Sequence, residues 1–184
     1  MNGQDDFRGV RVLVIGSGLD LNGRRLADAI DFSARWDVVA RLNKYYGDPR
    51  DVGRRCELGF IRWRGWQTQQ GGAVMREGQD WWPYDVRCGV RSWVVLNEFA
   101  GISPGEHDMT AAEAGVEKPS CGLLAVAWLL NRGARAVDVI GFGMGATGWL
   151  ARKAYTNGVV DGNPHYDWEK EHRWMERQGR VHMI

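Results

Sequence analysis

A chain of 184 residues suits one domain, and its 44% hydrophobic and 26% charged content are ordinary for a globular fold. That apolar content offsets the entropy of ordering, so disorder is excluded as the main state, and no apolar run approaches the roughly 18–20 residues of a membrane span. With 24 basic and 23 acidic residues the net charge is +1, so no global basic excess points to nucleic acid.

In chain order, residues 10–15, VRVLVI, form an apolar β-branched run that ends at Gly16-Ser17-Gly18. The pattern predicts a buried parallel strand feeding a tight turn. A helix is expected over about residues 22–31, where Leu26, Ala29 and Ile30 share one face. Residues 36–42, WDVVARL, read as a second strand with Asn43 at its end, and residues 56–63, CELGFIRW, as a third. Between them lies a loop marked by Gly47-Asp48-Pro49 and Val52-Gly53. Residues 64–92 are expected to hold a short helix within loops, followed by a strand over 92–99. The next stretch is irregular, with a helical start near Thr110 and His107 in a loop. Pro119-Ser120-Cys121-Gly122 opens an apolar helix that Gly133 closes in the left-handed conformation. Residues 137–142 are a strand leading to Gly143, residues 167–178 a charged amphipathic helix, and 181–184 a last strand.

This order predicts a single α/β domain with a mostly parallel sheet and helices on both faces. Ligands of such sheets bind beyond the carboxyl ends of the strands. The candidate groups are therefore Gly16, Ser17 and Gly18, Asn43, and Gly143. Small residues between a strand and a helix let backbone N–H groups approach a phosphate. The turn departs from GxGxxG, since Leu19 and Asp20 precede Leu21 rather than a glycine. The second strand ends in Arg41-Leu42-Asn43, with no acid for a nicotinamide ribose, which disfavours a dehydrogenase. Cys56, Cys88 and Cys121 form no CxxC pair, so neither a zinc site nor a disulfide framework is indicated. The N-terminal MNGQDDFRG lacks the regions of a signal peptide, so a cytoplasmic location is expected.

Two separated stretches resemble the sialyl motifs of animal-type sialyltransferases. Val12 to Gly18, Ile30-Asp31, Asp37-Val38-Val39-Ala40-Arg41-Leu42-Asn43 and Asp51-Val52-Gly53 follow the large motif in order and similar spacing. Pro119-Ser120-Cys121-Gly122-Leu123-Leu124 and Val137-Asp138-Val139-Ile140-Gly141-Phe142-Gly143 follow the small one. The first half is also similar to the bacterial sialyltransferases of related fold. The resemblance covers about residues 10–63 and 118–184 and implies a Rossmann-like, variant GT-A fold. It implies a metal-independent, inverting glycosyltransferase with a CMP-linked nucleotide-sugar donor, no separate cofactor and a histidine base.

By resemblance, Gly16, Ser17, Gly18, Asn43, Ser120, Cys121, Gly122 and Gly143 bind the donor. Ser17 replaces the first asparagine of the family pattern and Cys121 the usual threonine. Residues 10–63 would form the donor half, 64–118 the acceptor region, and 119–184 the half that carries the base. His165, in His165-Tyr166-Asp167, is the candidate base, because a neutral imidazole accepts a hydroxyl proton near pH 7. Glu169 or Glu171 would orient it, with Glu169 taken as its catalytic partner. Asp31 and Asp51 read as structural caps or turns. Trp63, Trp66, Trp81, Trp82 and Trp93, interleaved with arginines, fit a stacking wall for a sugar or a base, while Trp63 and Trp93 also read as core residues of their strands. The acceptor stays open between a glycan, a small molecule and a hydroxylated DNA base, and a non-catalytic nucleotide-binding module is a further alternative.

Overall fold

The computed structural model describes residues 6–16, 21, 23–42, 49–61, 74–76, 92–95, 104–142 and 167–184. Seven strands form one sheet: β1 (Arg11–Ile15), β2 (Val38–Leu42), β3 (Leu58–Ile61), β4 (Val74–Arg76), β5 (Ser92–Val95), β6 (Ala136–Ile140) and β7 (Val181–Met183). The helices are α1 (Ala27–Asp31), α2 (Pro49–Val52), α3 (Pro104–Ala114), α4 (Cys121–Asn131) and α5 (Trp168–Arg177). The strand order is β4-β5-β3-β2-β1-β6-β7. Every pairing is parallel except β4 with β5. The chain therefore builds outward from β1 through β2, β3 and β5, then returns to place β6 on the other side of β1.

Alternation along the strands divides the core into two layers. Val12, Val14, Ala40, Leu58, Phe60, Val137 and Val139 pack with α4 on one face. Leu13, Ile15, Val39 and Ile140 pack with Leu21, Ile30, Trp36 and Val52 on the other. Residues 121–130 of α4 are all buried, which explains why this helix is apolar on every side. It lies between the sheet and the helices α3 and α5. Trp128 meets Phe7 and Phe60 edge-to-face, each with ring centroids 5.5 Å apart, while the Arg132 guanidinium stacks on the same indole. Removing a leucine such as Leu124 from this layer would cost about 2–5 kcal/mol.

One acid interrupts β6. Asp138 is fully buried on the face opposite α4 and accepts hydrogen bonds from Arg11 Nε (3.1 Å), Arg11 Nη2 (3.0 Å) and Trp36 Nε1 (2.6 Å). His182 Nδ1 of β7 lies 3.1 Å away, and Arg35 Nη2 lies at 3.3 Å. Burial pushes this carboxyl up, but the donors Arg11, Trp36 and His182, with the Arg11 charge, outweigh it and hold the group below its ordinary value. Asp138 thus ties the edge strand β7 to β1 and to the segment before β2.

The structure corrects three expectations. Within 64–92, where only a short helix and loops were expected, residues 74–76 form the strand β4, antiparallel to β5 (Met75 opposite Trp93). The helix expected near Thr110 begins at Pro104, so His107 sits on α3 rather than in a loop. The first helix is shorter than expected, because residues 23–26 are drawn into a turn around Asp51. Asp31 and Asp51 have the structural roles read for them. Asp31 accepts from the amides of Arg54 and Arg55, and Asp51 from those of Gly23 and Arg25.

Candidate functional site

The strand order reverses between β1 and β6, and ligands of open α/β sheets bind at such a switch point. Two residues that follow these strands, Gly16 and Gly141, touch there through their backbones. The Gly16 amide donates to the Ile140 carbonyl at 2.8 Å, which extends the ladder by one residue. A Cβ at Gly16 would overlap the Gly141 carbonyl oxygen, so only glycine permits this approach. Gly141 itself has φ +66°, and the Leu21 side chain occupies the space where its Cβ would stand.

Phe142 comes next, and its ring lies between two glycines of the predicted site. A Cβ at Gly16 would come within 3.1 Å of Phe142 Cδ2, and one at Gly122 within 2.7 Å of Phe142 Cε1. The ring therefore joins the end of β1 to the first turn of α4. Two of the predicted donor-binding positions, Gly16 and Gly122, therefore meet around it.

Ser120 caps α4. Its Oγ accepts from the Leu123 amide at 3.1 Å, as the Pro-Ser-Cys-Gly sequence predicts. Its own two donors are engaged elsewhere. The Ser120 amide donates to Glu171 Oε1 at 2.7 Å and the hydroxyl donates to Glu171 Oε2 at 2.5 Å. Glu171 lies on α5 and is only 1% exposed. A resident carboxylate thus occupies the outermost part of the helix terminus, where the helix dipole favours negative charge. The Cys121 thiol lies 4.0 Å from the Phe60 carbonyl, facing the sheet. The Gly122 amide is one of the first-turn N–H groups that an α-helix leaves without an intrahelical acceptor.

The two acids expected near the base separate cleanly. Glu169 faces solvent and pairs with Arg173 one turn along α5. Glu171 faces inward with Trp174 and Met175. That signal was in the sequence: positions 171, 174 and 175 share a helix face, and a glutamate on the apolar face needs a buried donor. Asp167 caps α5 by accepting from the Lys170 amide at 3.1 Å, two residues after His165 in the sequence. Ser17, Gly18, Asn43, Gly143 and His165 lie outside the described residues, as do Trp63, Trp66, Trp81 and Trp82. His107 is removed from the crevice. The neighbouring Glu106 pairs with Arg132 (3.3 Å) just beyond the far end of α4, and among the described residues the buried His107 Nε2 has no partner.

This geometry agrees with what whole-chain comparison finds. The structure superposes on a mammalian sialyltransferase with a TM-score of 0.55, covering 95% of this chain and 68% of the other at 18% identity. It also superposes on a mammalian sialyltransferase in complex with Gal-beta-1-3GalNAc-ortho-nitrophenol, with a TM-score of 0.54, 17% identity and coverage of 95% and 69%. The fold is sialyltransferase-like. No protein-family model matches the chain, and no curated protein matches it by sequence. Among the described residues no helix is long and apolar enough to cross a membrane.

Proposed function

We propose that the protein is an inverting, metal-independent glycosyltransferase that moves a sugar from a CMP-linked donor to a hydroxyl acceptor. The observation that carries this reading is the meeting of Gly16, Gly141, Phe142 and Gly122 at the switch point of a sialyltransferase-like sheet. Close backbone approach and the first turn of α4 suit a nucleoside monophosphate, whose phosphate carries less charge than a diphosphate.

In this reading Asn43, Ser17, Gly18 and Gly143 complete the donor pocket around Gly16 and Gly122, and Cys121 contributes through its backbone. Ser120 acts by holding α4 in place, since its donors belong to Glu171. His165 takes the proton from the acceptor hydroxyl as that oxygen attacks the anomeric carbon. The bond from that carbon to the phosphate oxygen breaks, and CMP leaves with the electron pair, so the anomeric configuration inverts. Asp167 and Glu171 fix the start of α5 just downstream of His165. Glu169, exposed and paired with Arg173, belongs to the helix surface.

A thermal-shift panel of CMP, UMP, GMP and NAD tests the donor assignment. CMP at millimolar concentration should raise the Tm more than the others, since stabilisation grows as RT ln(1 + [L]/Kd). Equal shifts for all four would remove the CMP assignment. His165→Ala should lower turnover of a CMP-sugar by about 10²–10⁴-fold, and retained turnover would remove His165 as base.

A further inference from the structure

The turn between β1 and α1 carries adjacent arginines, Arg24 and Arg25. Its described part, Leu21 and residues 23–26, is held at two points. Leu21 packs against Gly141 at the switch point, and the Arg24 amide donates back to the Leu21 carbonyl at 3.2 Å. At the other end the buried Asp51 accepts from the Gly23 amide (2.9 Å) and the Arg25 amide (3.2 Å), and its carbonyl accepts from Leu26 (2.9 Å).

Two facts make this more than a scaffold. Arg25 has φ +50° and is the one described non-glycine residue in the left-handed region, a conformation that side chains resist. Asp51 of α2, the described carboxylate that meets this turn, accepts from backbone amides and binds neither guanidinium. Among the described residues Arg24 and Arg25 form no ion pair, and both are exposed. The fold therefore fixes the backbone of two neighbouring cations, three and four residues on from Leu21 at the switch point, and leaves their side chains in solvent. Two adjacent guanidiniums match a dianion better than a single carboxylate, because each can hold one anionic oxygen pair.

We propose that Arg24 and Arg25 form an acceptor subsite for a phosphate group, so that the hydroxyl acceptor is a phosphorylated small molecule. This rests on the transferase reading above and names its acceptor class.

Inorganic pyrophosphate serves as the probe, titrated calorimetrically into the wild type, Arg24→Gln/Arg25→Gln and Arg24→Lys/Arg25→Lys. Pyrophosphate should bind the wild type, weaken about tenfold or more in the glutamine variant, and recover only in part with lysine, which keeps the charge but loses the fork. CMP binding should stay within about twofold in every variant, with unchanged Tm, because the donor pocket is separate. Equal pyrophosphate affinity in wild type and glutamine variant overturns the proposal. So does displacement of pyrophosphate by CMP, which would place both in one site. Tighter binding of a short DNA duplex, with a salt slope well beyond the roughly two charges of this pair, also overturns it in favour of a polynucleotide. If CMP fails to bind the wild type, the donor reading falls on that measurement alone, while arginine-dependent pyrophosphate binding still upholds the phosphate subsite.

Discussion

Glu171 holds Ser120 through both of the serine's donors, at 2.7 Å from the amide and 2.5 Å from the hydroxyl. The hydroxyl in turn accepts from the Leu123 amide, so charge is relayed from α5 into the first turn of α4. Glu171→Ala leaves a buried amide and hydroxyl without an acceptor and should cost about 3 kcal/mol. Glu171→Gln keeps one acceptor and should cost roughly half of that. Ser120→Ala loses the cap as well as one partner and should cost about 1–2 kcal/mol. Urea unfolding of both singles and the double checks this, since coupled residues give a double variant that departs from the sum.

Gly16 and Gly122 both crowd Phe142, but they should respond differently to alanine. At Gly16 the added methyl meets the backbone of Gly141, which cannot move without disturbing β6. The expected loss is about 2–3 kcal/mol. At Gly122 the methyl meets a ring edge, and alanine is favoured over glycine in a helix by about 1 kcal/mol. The net change should therefore be small, and Phe142→Leu should relieve what remains. Thermal unfolding of the two alanine variants, each with and without Phe142→Leu, separates the cases; rescue of Gly16→Ala by Phe142→Leu would contradict the backbone clash.

Asp138 should govern stability in acid. Its folded pKa is lowered from the ordinary 3.8, so the native state binds this proton less readily than the unfolded chain does. The stabilisation is then complete above about pH 4 and is lost as pH falls through the lowered folded value. The difference in unfolding free energy between the wild type and Asp138→Asn should narrow from pH 5 towards pH 2. A difference that stays constant over that range would show that the carboxylate charge is not the cause.

Arg25→Gly should be mildly stabilising. The left-handed conformation costs a side-chain-bearing residue about 1–2 kcal/mol, and glycine loses about 0.5–1 kcal/mol through the entropy of the unfolded chain. The balance is a gain of about 0.5–1 kcal/mol, read as a rise in Tm. A fall in Tm would mean that the Arg25 side chain contributes packing that offsets its backbone strain.

Much of the frame could be read from the residues. The run VRVLVI and the strand AVDVI alternate between two buried layers, so their apolar character is continuous and conspicuous. The helix at 121–131 announced itself by Ser120 before it and Gly133, at φ +84°, after it. The strand Val74–Arg76 did not, because three residues are too few to show a period and the polar, glycine-rich sequence around them favours no single state. At the candidate site, sequence reasoning located Gly16 and Gly122 but could not see that one phenyl ring spans them. That contact joins Phe142 to residues 126 positions away on one side and 20 on the other, and no local pattern encodes it. The choice between Glu169 and Glu171 turned on helix phase, and the i, i+3, i+4 spacing of Glu171, Trp174 and Met175 already carried it.

Phe142 and Glu171 both end at the tip of α4, one against Gly122 and the other on Ser120. The polypeptide between these two residues therefore departs from and returns to a common post. Closing such a circuit costs free energy that grows only with the logarithm of its length, about 0.6 kcal/mol for each doubling. Lengthening this circuit within residues 144–164 should therefore leave the frame nearly untouched, read as an unchanged Tm.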